Sequence, residues 1–446
     1  MSDVPRLSVP RARRLLSRIA AACAIVFVAN AAQARDFPYN PILFVHGIEG
    51  SGAQFQSQAM RFESNRYPAS WIDQVDYDST RAVGDKTEVH AQIDAAIADL
   101  QSRTGKERID VVAHSLGTSV MHDYLTDDSL GEQRRASIGR YVNVDGQSEN
   151  PGVPTLAVWA GRGSPGRNME GAENVTIPNQ THVQVCTSSE AFVEYFRFLT
   201  GRTPRRSIRR QSRIEVSGKA LEFPQNSGLA GATVQVWPID ENGQRTTEAP
   251  LASIAVTDGS RGGGKWGPVS IRRRQRYEFA LVRTALPTLH IYYEPFVRSD
   301  HTLRLLASTA FEQYAGNRPG SSSWVSIRYK ELWGDQPGES DQLLVDGLNI
   351  ATPELCPASK QVNGYFAFDV NRNSQSDLTE EPVLSALPFL QGADVFVRGA
   401  TPPDATITFE LLSRGGGDVR TMKVPNWEAL GDGITLTWND FDRLRF

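Results

Sequence analysis

The feature that most limits how this chain can fold is a change of hydrophobic period near residue 203. Before it, short apolar runs alternate with amphipathic stretches. "ILFVHG" (42–47), "IDQVDYD" (72–78), "IDVVAHS" (109–115), "YVNVDG" (141–146) and "PTLAVWAG" (154–161) read as strands, and 88–101, 118–125 and 189–199 as helices. Such alternation predicts a mostly parallel sheet covered by helices on both faces. Beyond it the period falls to two, in "GATVQVWPID" (231–240), "RRRQRYEFALV" (272–282), "WVSIRYKEL" (324–332), "GYFAFDV" (364–370), "GADVFVRG" (392–399) and "TITFELL" (406–412). Turn residues such as Glu241-Asn242-Gly243 separate these runs, so the second part is expected to be all-β, in one or two modules. The expected organisation is an α/β domain at 35–202, a linker at 203–213, a β-sandwich-like module at 214–315 and a C-terminal β module at 316–446. The linker carries Arg205, Arg206, Arg209, Arg210 and Arg213 with almost nothing to bury, which reads as a solvated connector.

The first 34 residues stand apart. Arg6, Arg11, Arg13, Arg14 and Arg18 precede an apolar run from Ile19 to Ala29, and Ala32-Gln33-Ala34 offers a small-residue cleavage site. That run is shorter than the roughly 20 apolar residues needed to cross a bilayer, so the segment is read as a signal peptide and the protein as exported, periplasmic or extracellular. No transmembrane segment is expected after processing. Arg13-Arg14-Leu15-Leu16 is only a partial twin-arginine signal and leaves both export routes open. Processing would lower the formal charge from −4 to about −8, which argues against a nucleic-acid partner. Of the three cysteines, Cys186 and Cys356 remain, without disulfide-framework or metal spacing. Two free, buried thiols are the simpler expectation, although export would permit a pair.

The chemistry centres on "VVAHSLGT" (111–118), where an apolar strand ends at Ser115 and a helix begins. A serine nucleophile needs a sharp strand-to-helix turn whose flanking residues are small, and Ala113 and Gly117 both satisfy that requirement. Upstream, "FVHGIEGSG" (44–52) ends a strand in His46-Gly47, so the Ile48 amide and the Leu116 amide after the serine are the candidate oxyanion donors. His46 itself is read as structural. Among the later histidines, His122 is placed on the far side of the following helix, while His290 and His301 lie beyond the linker. His182, in a polar loop after the last expected α/β strand, is the candidate base. Asp145, at the end of "YVNVD", is the candidate acid, preferred over Glu170, and the order Ser115, Asp145, His182 suits the fold.

With "PILFVHGIEGSGAQFQSQAMRF", "IDVVAHSLGT", "VPTLAVWAG", "THVQVCTSSEAF", "VWPIDENGQR" and "YYEPFVRS" in view, the chain resembles the archaeal-type long-chain lipases, which join a small α/β-hydrolase domain to a C-terminal β-barrel domain. The resemblance covers most of the chain after the signal segment. It implies Ser115 as nucleophile, Asp145 as acid, His182 as base and the Ile48 and Leu116 amides as oxyanion donors. It also implies an ester or lipid substrate, met at an interface, and no required cofactor. One departure stands out: those lipases insert a long helical lid after the strand matching "VDYD", whereas here only "STRAVGDKTE" follows before the helix resumes. A lidless carboxylesterase or polyester depolymerase is therefore the alternative, and a non-catalytic lipid- or glycan-binding surface protein a more remote one. Tyr292, Tyr293 and Phe296 are expected in the β-domain core rather than on a lipid-contact patch. Finally, Asp369, Asn371, Asn373, Asp377 and Glu380 occupy calcium-loop positions, with Ser374 where glycine is usual, so calcium is a candidate ligand there.

Overall fold

The computed structural model describes residues 37–162 and 165–441. The expected signal peptide lies outside them. Six parallel strands form the first sheet: β1 (Ile42–Val45), β2 (Ile72–Val75), β3 (Ile109–His114), β4 (Ile138–Val144), β5 (Thr155–Ala160) and β6 (Glu173–Ile177), in the order β2-β1-β3-β4-β5-β6. β1 and β3 to β5 are near-continuous apolar runs because both faces of the sheet are covered. Leu43, Val45, Val111 and Ala113 face the helices α3 (Thr87–Thr104) and α4 (Leu116–Thr126), whereas Ile42, Phe44, Val112 and Val142 face α1 (Gln56–Ser64) and α7 (Ser189–Thr200). Three short helices, α2 (Ser79–Ala82), α5 (Gly131–Ala136) and α6 (Gln184–Thr187), complete the layer. The chain steps from β1 outward to β2, then returns to β3 on the other side of β1. That reversal opens a crevice at the carboxyl ends of β1 and β3, where open α/β sheets bind ligands.

The second part is all-β apart from short helices. One eight-stranded sheet runs Ala252–Ala255, Thr233–Ile239, Arg276–Val282, Thr288–Tyr293, Asp432–Trp438, Trp324–Leu332, Val362–Phe368 and Leu390–Asp394. Two four-stranded sheets pack with it, one built around Arg213–Glu222 and one around Gln342–Val345 and Thr406–Leu412. The expected β-barrel is thereby corrected: among the described residues the sheets are open and no closed barrel forms. Closure depends on which strands pair, and a period of two carries no such information. The large sheet also runs across residue 316, because Asp432–Trp438 pairs in parallel with both Thr288–Tyr293 and Trp324–Leu332. Tyr292, Tyr293 and Phe296 are buried in these cores.

The arginine-rich connector is not free. Ile208 is buried against Met60 and Phe441, the Arg209 amide donates to Ser64 Oγ at 2.9 Å, and the Arg205 amide donates to Asn65 Oδ1 at 2.8 Å. Further contacts fasten the β region to the parallel-sheet domain. Lys219 meets Asp76 at 2.6 Å with both side chains buried, Arg298 meets Glu63 at 2.8 Å, and Arg261 pairs with Asp78. Cys186 and Cys356 are both free and buried, and burial raises both thiol pKa values.

The candidate calcium loop is closed by its own hydrogen bonds. The Asp369 carboxylate accepts the Asn373 and Ser374 amides at 3.2 and 3.1 Å, an Asx turn closed on itself. Asp377 accepts the side-chain amides of Asn371 and Asn373 at 3.0 and 2.9 Å, and Glu380 turns to Lys360 at 3.4 Å. Among the described residues no group of three or more acidic, histidine or cysteine side chains is placed to hold a metal ion. As folded, the loop's carboxylates are engaged with its own amides and with Lys360.

Candidate active site

β3 delivers Ser115 into a left-handed backbone conformation, φ +52° and ψ −123°, and α4 starts at the next residue. Few side chains tolerate this region, so the strain must be held by its surroundings. Gly117 shows how tightly: a Cβ there would come within 2.5 Å of the His46 carbonyl and 2.6 Å of the Val45 carbonyl. The helix can therefore leave the turn only by brushing the end of β1. Ala113, on the strand side, is fully buried, and its methyl fits where the motif usually has glycine.

Ser115 faces His182, whose Nε2 lies 2.9 Å from Ser115 Oγ. The other ring nitrogen, Nδ1, is 2.6 Å from Asp145 Oδ2. An ionised carboxylate can only accept, so Nδ1 carries the hydrogen and Nε2 is left to accept from the serine hydroxyl. Asp145 sits just past the end of β4 at φ +45°. Its second oxygen accepts the Ala160 amide at 3.0 Å, and Arg167 lies 3.6 Å away. Burial pushes the Asp145 carboxyl up, but the His182 and Ala160 hydrogen bonds outweigh it and hold the pKa below the ordinary value. Glu170, the alternative, is exposed on the approach to β6.

The crevice also gathers the candidate oxyanion donors. A Cβ on Gly47 would lie 3.0 Å from Ser115 Cβ, so the loop after β1 runs directly beside that serine. Ile48 and Ser115 line the same cleft, with Leu116 next along the chain. Leu116 occupies the first turn of α4, where backbone N–H groups have no intrahelical acceptor. His46 is structural, as expected. Its Nδ1–H donates to the Gly47 carbonyl at 2.7 Å, its Nε2 accepts the Tyr77 amide at 3.2 Å, and burial lowers its pKa to about 4.

Three contributors escaped sequence reasoning. His114, beside the serine, donates from Nε2 to the His182 carbonyl at 2.8 Å, and burial holds its pKa at about 3, so it stays neutral. Gln54 spans the crevice: its amide donates to His114 Nδ1 at 2.7 Å while its Oε1 accepts the Gly47 amide at 3.3 Å. Glu49 is the third. It lines the cleft with one carboxyl oxygen buried and unpartnered, and burial lifts its pKa to about 7. The signal for His114 was its place in "AHSLG". Nothing local singled out Gln54, whose partners lie far along the chain.

The cleft above Ser115 holds about 700 Å³ of empty space, part of it open to solvent, and most of its apolar wall comes from the β region. Phe223, Leu306, Val325, Ile327, Phe366 and Leu390 face it, and the Phe389 ring lies over His182 with centroids 6.0 Å apart. No inserted lid follows β2. The four-residue helix α2 and a short turn lead straight into α3. His122, as expected, points elsewhere, toward Glu149 at 3.4 Å.

Comparison with known families agrees with this architecture. A Lipase (class 2) model matches residues 39–156, a Lipase C-terminal domain model matches 212–310, and a "-like, C-terminal domain" model matches 311–442. No curated protein sequence matches the chain. Among solved structures, lipase B of Aspergillus fumigatus is similar at 10% identity over 38% of this chain and 54% of that one, with a TM-score of 0.30. Lipase BlEst2 of Bacillus licheniformis in its propeptide form is similar at 12% identity, 87% and 94% coverage and a TM-score of 0.29. A gene product of Listeria innocua is similar at 12% identity, 37% and 95% coverage and a TM-score of 0.30. The matched domains, in this order along the chain, support a lipase-family α/β-hydrolase domain followed by a C-terminal domain.

Proposed function

We propose that this carboxylic-ester hydrolase is an exported serine lipase acting on acylglycerols or other long-chain esters. The observation that carries the reading is His182, bonded to Ser115 on one side and Asp145 on the other at the floor of an apolar cleft. Ser115 Oγ attacks the ester carbonyl as His182 Nε2 takes its proton, and the Ile48 and Leu116 amides stabilise the oxyanion. His182 returns the proton to the leaving alcohol, and water then cleaves the acyl-enzyme by the same route. Asp145 holds the imidazole in the required tautomer. The apolar wall from the β region supports a long acyl chain, as does the sequence resemblance to archaeal-type long-chain lipases. The leader-like residues 1–34 support export.

A second reading, a lidless carboxylesterase or polyester depolymerase, is favoured by one observation: the four-residue helix where a lid would be inserted. A chain-length series of p-nitrophenyl esters on residues 35–446, with emulsified triglyceride, separates the two. A lipase is expected to peak at long chains and cleave the emulsion, whereas a maximum at short chains with an inert emulsion overturns it. Ser115→Ala should lower kcat by at least about 10⁴-fold. Undiminished cleavage would remove the mechanism altogether.

A further inference from the structure

The loop that carries His182 is held from the opposite domain. We propose that Glu331, on the strand Trp324–Leu332, is a positioning residue for the imidazole, so that the C-terminal module is a working part of the catalytic centre and not only a wall for substrate. The proposal rests on the reading of His182 as general base.

Glu331 is fully buried. Its Oε1 accepts the Val183 amide at 2.7 Å, and its Oε2 accepts the Thr181 hydroxyl. One carboxylate therefore grips the residues on either side of His182. Between those two contacts, the His182 carbonyl accepts from His114 Nε2 at 2.8 Å. The base is thus fixed from its own sheet through His114 and Asp145, and from the β region through Glu331. Hydrogen bonds to an ionised acceptor are shorter and about twice as strong as neutral ones, which suits a clamp on an irregular loop.

The carboxylate is itself anchored. Arg414 lies 3.8 Å from Glu331 Oε2 and donates to the Glu331 carbonyl, while Asp341 holds Arg414 at 2.6 Å and Arg328 at 2.8 Å. A buried carboxylate is costly unless it is paired and hydrogen-bonded. Here both of its strongest side-chain contacts come from the catalytic loop, and its ionic support comes from the β region. Displacing that loop would separate His182 Nε2 from Ser115 Oγ, and misplacement of about 1 Å can cost up to about 100-fold in rate.

The test uses the full chain and a soluble short-chain ester, for which the apolar wall matters least. Glu331→Ala should lower kcat by about 30-fold with KM little changed, and slow phosphonylation of Ser115 by an organophosphonate by a similar factor. Glu331→Gln should recover most of this, because its amide can accept from Val183 and donate to the Thr181 hydroxyl. Thr181→Val, which removes one contact and no charge, should lower kcat by about 5-fold. Rates are expressed per active site titrated, and thermal unfolding is followed alongside. A folded Glu331→Ala with kcat within about twofold of wild type overturns the proposal, as does a Gln variant no better than Ala. If Glu331→Ala does not fold, Thr181→Val decides: a lowered kcat at constant KM supports the clamp, and an unchanged kcat overturns it. His182→Ala is the control, since retained activity there would sink the base assignment itself.

Discussion

The parallel sheet and the β region put polar groups to opposite uses. In the first, the strands that flank the crevice are nearly all apolar, Asp110, Arg140 and Asn143 aside, and His46, His114, Ser115 and Asp145 collect at or just beyond the strand ends. In the second, Glu278, His290, Arg328 and Glu331 lie within strands and are buried, each with a charged or hydrogen-bonded partner. Parallel strands covered on both faces leave their rim as the one place where irregular backbone can present side chains to a ligand. Strands with unequal faces can enclose charge, provided every charge is matched. Charge at the rim is available to react, whereas charge inside the sheet holds shape.

The comparison breaks if Asp145 at the rim proves structural or the buried His290 cluster proves catalytic. The largest effect is expected at Asp145. Asp145→Asn should lower kcat by about 10⁴-fold through loss of the productive tautomer, with little change in the thermal midpoint. A large stability loss with modest kinetic loss would make Asp145 a core residue instead.

Next is His290, which lies 2.6 Å from Glu278 and 3.0 Å from Asp432 and stacks on Trp427. Burial pushes its pKa down, but the two carboxylates outweigh it and raise the pKa above the ordinary value. His290→Ala should destabilise the protein by about 3 kcal/mol and leave kcat per folded molecule unchanged. Because the folded pKa is raised, this stabilisation is fully present below about pH 6.5 and is lost as pH rises through the folded value. Denaturant midpoints of the two proteins should therefore converge on the alkaline side. A fall in kcat at constant stability would erase the distinction between the regions.

The smallest effect is expected at Glu49, a rim carboxyl with a pKa of about 7 beside the Ile48 amide. The folded state holds its proton between the ordinary value near 4.5 and about 7, so wild-type stability falls as pH rises through that window. Glu49→Gln should remove that slope. It should also raise kcat/KM about 2–3-fold above pH 7 relative to pH 6, because a carboxylate there opposes the developing oxyanion. An identical pH profile would place Glu49 outside the field of the site.

How much was legible in the sequence follows from the range of each contact. Ser115 was readable because an elbow is a local device, written in Ala113, Gly117 and the strand before them. The placement of Asp145 and His182 beside Ser115 followed from chain order, although β6 (Glu173–Ile177), the strand before His182, was not among those read. Gln54 and Glu331 were not legible, because their partners lie about 60 and 150 residues away and no pattern links a glutamine in a polar stretch or a glutamate in a strand to a distant loop. The strand Asp300–Ala307 went unread for a related reason: both of its faces are partly buried, and the alternation blurs. The calcium pattern is a different case: its acidic and amide residues sit at loop positions, with Ser374 where glycine is usual, while the fold joins Asn371 and Asn373 to Asp377 and turns Glu380 to Lys360.

The strand Asp432–Trp438 carries a further consequence. It fills the middle of the largest sheet, between strands that begin about 140 and 110 residues earlier. Two halves of a sheet must wait, edges open, for a strand distant in sequence to arrive between them. The β region therefore completes its assembly only once this strand is in place, and its removal would leave two unpaired edges at the centre of the sheet.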